Sequence, residues 1–332
     1  MSAQAMEQAQ QGPSSWKKIA GVTSLLIVVI VVFLVAFALP SINSEVKHIA
    51  VGLVAPEPLA SAVIDGLDVA SPDTFDVTIV ESASAARALI EEREAFGAFV
   101  VTANGLTVET ASAASYAVAT ALGAAGQQIG AAVDVPVTVD DVVPFSEADP
   151  RGVGLSAGAL PIALGGWIAA VGILSAIHGT RQRLITAGVF AVVGGFALTA
   201  VLQFWLGTFT GNYWLTSLGA VLGIAATSFL VLGMQRMFKA AGIVMAAIIL
   251  VLLGNPLSGL SSAPEILPEP WGAIGQLLPP GATGTLLRNT AFFDGAATTM
   301  PIIVLAIWFV FGLGLYLLAV ARDRRRDPAA IE

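Results

Sequence analysis

The chain has 332 residues, of which 56% are hydrophobic and only 11% charged, and its formal net charge is −8. Soluble proteins carry roughly 25% charged residues, so this deficit excludes an ordinary water-soluble enzyme and points to a chain held largely in lipid. The absence of cysteine excludes disulfides, thiolate catalysis and cysteine-held clusters.

Six apolar runs contain no charged residue: Ile19–Leu39, Leu155–Ile177, Leu184–Leu206, Trp214–Met234, Ala240–Leu257 and Met300–Val320. A helix needs roughly 20 apolar residues to cross a bilayer. The expected fold is therefore an α-helical integral membrane protein with six transmembrane helices in a 1+5 order. Residues 1–18 read as a cytoplasmic tail, 19–39 as the first transmembrane helix and 44–153 as an extracytoplasmic α/β domain. Residues 155–322 read as a five-helix membrane domain, and 323–332 as a second cytoplasmic tail. Ala36-Phe37-Ala38 matches a signal-peptide cleavage pattern. The run before it is longer than the roughly 7–15 residues of a signal core, so a retained anchor is expected.

The segment 44–153 holds 16 acidic and 4 basic side chains. That balance argues against nucleic acid as a partner, because phosphates require Lys and Arg. Ile49–Val54 is continuously apolar, as in a strand covered on both faces. Leu59–Leu67 reads as a helix, Asp76–Val80 as a strand, Ala83–Arg93 as a helix and Ala95–Val101 as a third strand. Asn104-Gly105 signals a turn before Leu106–Glu109. Ser112–Val133 is Ala-rich enough to pass for a span. Its larger apolar residues, Val118, Leu122, Ile129 and Val133, form one helical stripe, and Gln127 and Gln128 are costly in lipid. An amphipathic helix of the α/β domain is expected there, followed by a last strand, Val135–Val143. The order β-α-β-α-β-β-α-β predicts a mainly parallel sheet of about five strands.

Basic residues set the orientation. With the N-terminus inside, Lys17, Lys18, Arg181, Arg183, Arg236, Lys239, Arg322, Arg324, Arg325 and Arg326 are cytoplasmic. Only Lys47, Arg87, Arg93, Arg151 and Arg288 lie outside. A cytoplasmic membrane location is expected, multi-pass, with both termini cytoplasmic and the large domain outside.

Small residues at helical spacing, such as Gly166, Gly195, Gly223 and Gly312, predict close helix packing. Pro161 is expected to kink the second span and Pro256 to end the fifth. After it, residues 257–298 carry Pro264, Pro268, Pro270, Pro279 and Pro280. Trp271–Leu278 and Ala282–Phe293 are expected as two short helices, a re-entrant or interfacial hairpin at the outer face. Arg288 reads either as a snorkelling arginine or as a contact to an acidic lipid head or the outer domain. It is expected near the head groups. Arg288, Trp271 and Gln203 are the substrate-path candidates.

Asn255-Pro256-Leu257-Ser258-Gly259, Leu267-Pro268, Trp271, Leu278-Pro279-Pro280 and Leu287-Arg288 together resemble the end of ABC-2 type permeases. The one-plus-five topology is similar to the same superfamily, and Phe145–Gly152 resembles its YhgE/Pip branch. The resemblance implies a permease-like subunit exporting an amphiphilic or lipidic envelope compound, as a homodimer in contact with membrane lipids. It also raises a separate ATP-binding subunit. The loops His178–Arg183 and Gln235–Lys239 offer such a subunit little surface, and no G-x-x-x-x-G-K-[ST] phosphate loop occurs.

No enzyme activity, cofactor or metal site is expected. No charged residue lies within the runs, which disfavours an ion-driven carrier. His48 and His178 stand at opposite membrane ends, and Asp140-Asp141 lacks calcium-loop spacing. The alternative is a non-transporting envelope protein whose outer domain binds a partner.

Overall fold

The computed structural model describes residues 14–326. The expected tails, 1–18 and 323–332, lie largely outside the described residues. Of their described parts, Trp16–Lys18 and Asp323–Arg326 are helical, with Ser15 capping the first. Helix α1 (Trp16–Ile42) leads into β1 (Ile49–Val54), α2 (Glu57–Ala70), β2 (Phe75–Ile79), α3 (Ala83–Glu91), β3 (Gly97–Thr102), β4 (Gly105–Thr110), α4 (Tyr116–Val133) and β5 (Val137–Asp141). Helices α5 (Val153–Ala176), α6 (Thr180–Ala200), α7 (Tyr213–Phe238) and α8 (Ala240–Ala247) follow. The chain ends with α9 (Trp271–Gln276), α10 (Pro279–Phe292) and α11 (Thr299–Arg326).

The strands form one mixed sheet in the order β2-β1-β3-β4-β5. Only β3 and β4 pair antiparallel, through the Asn104-Gly105 turn; the other three pairings are parallel. Helix α3 covers β1 and β3 on one face, placing Ala86 against Gly52 and Ala98. Helices α2 and α4 cover the other face, where Leu122 packs against the backbone of Gly97. Leu53, Ile90, Phe99, Val108 and Leu122 are fully buried between these layers, which explains why β1 and β3 are apolar without alternation. Helix α4 is part of this domain and not a span. Its buried stripe runs from Val118 and Leu122 to Ala125, Gly126 and Gly130, leaving Val133 exposed.

Among the described residues, five helical segments are long and apolar enough to cross a membrane: α1, α5, α6 with its extension to Trp205, α7 and α11. The run Ala240–Leu257, expected as another full span, is helical only over Ala240–Leu253. At about 1.5 Å per residue that is roughly 20 Å, short of a bilayer core. Its last turn, Ile248–Leu253, is widened into a π-helix, as is Val201–Trp205 at the end of α6. Pro256 contributes to the stop, since it cannot donate to a helical ladder.

Helix α7 is the hub, with 72% of its apolar window buried, and it packs against α5, α6, α10 and α11. Small residues permit this. Gly166 of α5 lies against Ile224 and Thr227 of α7, and Gly312 of α11 lies against Phe229 and Leu230. Arg183 ties the α5–α6 link, its Nε donating to Ile177 O at 2.8 Å and its Nη2 to Leu174 O at 3.2 Å. At the same end Arg236 of α7 pairs with Asp323 of α11 at 2.6 Å. The basic residues of the short loops therefore gather at the end of the bundle away from the sheet. Helix α1 is the exception to all this packing. None of its apolar window is buried, and among the other elements it makes its main contact with Ile248–Leu253.

Candidate functional site

The broken end of α8 opens an irregular stretch of backbone before α9. Gly254 lies against Pro280 at the start of α10, and Gly259 turns the chain with φ of +66°. Between them Ser258 folds back, its Oγ donating to Asn255 O at 2.6 Å and accepting from Leu260 N at 3.3 Å. Gln276 Nε2 of α9 donates to Ser258 O at 3.1 Å, and Gln276 Oε1 accepts from Thr285 Oγ1 of α10 at 2.7 Å. Trp308 Nε1 of α11 donates to Leu277 O at 2.8 Å. Such bonds let non-helical backbone sit at membrane depth, where unsatisfied peptide groups are costly.

Helix α10 is enclosed by protein and does not lie open on a surface. All of residues 279–291 except Thr285 are buried, against α5, α7 and α11. Arg288 is correspondingly only 4% exposed, so its guanidinium is held within protein and does not snorkel out to solvent. Its Nη2 donates to Ser262 O at 2.9 Å and to Leu260 O at 3.4 Å, while its Nε has no partner. Leu260 O also accepts from Ser156 Oγ of α5 at 2.9 Å. Arg288 thus braces the loop after α8 from behind. The charged groups acting on it are Arg93 of the α/β domain and Glu265. Arg93 also lies over Phe96 and Phe293, and burial lowers its pKa, opposed by Glu265.

The sheet domain is joined to this region through its core. Ala263, Ile266 and Phe293 belong to the same buried cluster as Leu53, Phe99 and Leu122. Glu45 N, just after α1, donates to Ile266 O at 3.1 Å. Below this junction three cavities surround the last turns of α1. One, of about 380 Å³, is apolar and lined by Val35, Ala36, Leu39, Leu252, Leu257 and Trp271 among others. A second, of about 530 Å³, brings Ser41 of α1 and Ser44 just after it to Ser156, Ser258, Ser261 and Ser262. A third, of about 720 Å³, lies at the exit of α1, between residues 43–48 and 264–276.

The three residues singled out in the sequence do not converge. Trp271, at the start of α9, lines the apolar cavity and is 43% exposed. Arg288 supports the wall of the serine-lined cavity through Leu260 and Ser262 without lining it. Gln203 sits in the π turn ending α6. Its Nε2 donates to Gly211 O at 2.8 Å, and Gly211 N donates to Ala291 O at 2.8 Å. It therefore fastens the α6–α7 link to the end of α10 and lines none of these cavities. Sequence reading missed the serines. Ser258, Ser261 and Ser262 crowd one short stretch, which is a visible signal, but only the fold brings Ser41, Ser44 and Ser156 to them. Among the described residues no cluster of His, Asp and Glu is arranged to hold a metal ion.

These features define the class: a polytopic helical membrane protein carrying a small mixed α/β domain whose core is shared with a buried helical hairpin. The chain matches no protein-family model, no curated protein and no solved structure.

Proposed function

We propose that this chain is an ABC-2 permease-like membrane subunit, working as a homodimer to export an amphiphilic or lipidic envelope compound. The α/β domain then faces outward and both chain ends face the cytoplasm. The observation that carries the reading is the setting of α1. It stands apart from the bundle, and where it meets the broken α8 it is flanked by one apolar and one serine-lined cavity. A ligand with an apolar tail and a hydroxylated or charged head fits such a divided cleft, and lipid can supply it from the side.

Energy is the weaker part of the reading. The links of α5 to α6 (Ile177–Gly179) and of α7 to α8 (Lys239 alone) present little surface to an ATP-binding partner. A scaffold whose outer domain simply binds a partner is the second reading. The core shared between that domain and the hairpin favours coupling over a freely hung binding module.

The test is a lipid profile of cells lacking the chain. An amphiphile should accumulate, and wild type should clear it. Ala36→Trp fills the apolar cavity and should fail, while Leu34→Trp, on the exposed side of α1, should succeed. An unchanged lipid profile overturns export.

A further inference from the structure

We infer that the cleft beside α1 selects amphiphiles whose head group is a cationic amine or quaternary ammonium. This rests on reading the cleft as a substrate path and adds the charge of what travels along it.

The apolar cavity and the larger cavity at the exit of α1 share Asn43 and Pro268, so they are successive chambers along one side of that helix. The lower chamber offers aliphatic side chains and the indole of Trp271. The upper chamber is lined by three carboxylates, Glu45, Glu265 and Glu269, against a single lysine, Lys47. That lysine is already paired with Glu45. His48, also in the lining, lies 3.2 Å from Asp76. Glu265 is offset by Arg93 and Arg288 behind it. Glu269 remains, an exposed carboxylate with no ion-pair partner among the described residues.

Glu269 and Trp271 are two residues apart, and they line the upper and lower chambers respectively. The carboxylates of the upper chamber attract a cationic head by charge, while the lower chamber, Trp271 included, takes the apolar tail. An anionic head in the same place meets uncompensated carboxylate charge and only a lysine whose charge is already matched. Like-charge contacts of this kind are a means of rejecting wrong ligands. The tail then lies along Val35, Ala36 and Leu39 of α1, facing Leu252 and Leu257.

The experiment measures saturable binding to the full chain in nanodiscs, with empty nanodiscs as the blank. The probes are dodecyltrimethylammonium, dodecyl sulfate and dodecyl maltoside. The cationic probe should bind saturably and the sulfate should not. Glu269→Gln, a same-shape change at an exposed site, should weaken cation binding about fivefold, the upper range for a partly exposed ion pair. Sulfate binding as tight as the cation, no saturable cation binding, or an unaffected Glu269→Gln variant each overturns the inference. Selective cation binding in a chain that moves no lipid would keep this assignment and remove the export reading. Export without head-group selectivity would do the reverse.

Discussion

The guanidinium of Arg93 lies 4.8 Å from the ring centroid of Phe293, joining the α/β domain to the residue that follows α10. Phe293 is 5% exposed and belongs to the α/β core. Phe293→Ala should therefore destabilise that domain by about 3–5 kcal/mol, the range for a buried phenylalanine. Residues 44–150 produced alone should still be folded, with mixed α/β circular dichroism, but should melt below the same domain in the whole chain. Equal melting temperatures would show that the shared core contributes nothing.

Arg288 is a buried cation without an ion-pair partner among the described residues. Arg288→Ala leaves a cavity and frees Ser262 O, and should cost about 3 kcal/mol. Arg288→Met refills the volume and removes a costly buried charge, so it should stay within about 1.5 kcal/mol of wild type. Thermal melting in nanodiscs separates the two. A methionine variant as unstable as the alanine variant would show that the charge itself is required.

Glu109 of β4 is 6% exposed, with Oε2 unpartnered. Burial raises its pKa above the ordinary 4.5. Arg87, with 3.7 Å between Nη2 and Oε1, opposes the rise, and Asp140 and Glu91 add to it. A carboxyl with a raised folded pKa binds its proton more tightly in the folded state. Stability is thus greatest below the ordinary carboxylate pKa and is lost as pH rises through the folded value. Glu109→Gln should match wild type near pH 4 and be the more stable above that window. A difference independent of pH between the two melting curves would refute this.

Gly312 and Gly314 offer a matched pair on α11. A Cβ at Gly312 would lie 2.5 Å from the Phe229 carbonyl carbon, whereas one at Gly314 meets nothing within 4 Å. Gly312→Ala should cost about 1–3 kcal/mol by overpacking, and Gly314→Ala should gain up to about 1 kcal/mol from helix propensity. Melting of the two variants in nanodiscs checks the sign of each.

Orientation is testable because the chain has no cysteine of its own. A cysteine at Ser71, just after α2, should react with an impermeant thiol reagent on intact cells. One at Thr180, at the start of α6, should not. The reverse pattern would invert the proposed topology.

The sheet was legible because strand and helix periods differ and Asn104-Gly105 marks its one antiparallel turn. Long apolar runs were legible because lipid tolerates nothing else over that distance. The two short helices of the hairpin were legible from the prolines around them, but their burial was not, for a physical reason. Residues 279–292 are poor in large apolar side chains, and hydropathy measures transfer to lipid. Helix α10 is buried in protein, where Gly281, Ala282 and Gly284 suit a tight fit. For the same reason the sequence around Arg288 does not distinguish a snorkelling arginine from a buried one. The early stop of α8 was half visible, as Pro256 is plain, but the π turn ahead of it carries no residue signature. The cavities are set by how α1 stands off the bundle, a property of tertiary packing that no local pattern encodes.

The contribution of Ala263, Ile266 and Phe293 to the α/β core has a consequence for biosynthesis. The last strand, β5, ends at Asp141, and Phe293 follows 152 residues later. At roughly 5–20 residues per second, on the order of 8–30 s pass before the ribosome supplies the missing piece. Over that interval the domain waits with an uncovered apolar patch, and four more hydrophobic segments must be made before it is closed. The domain emitted first is thus among the last parts to finish folding, and its completion reports that the chain has been made as far as the end of α10.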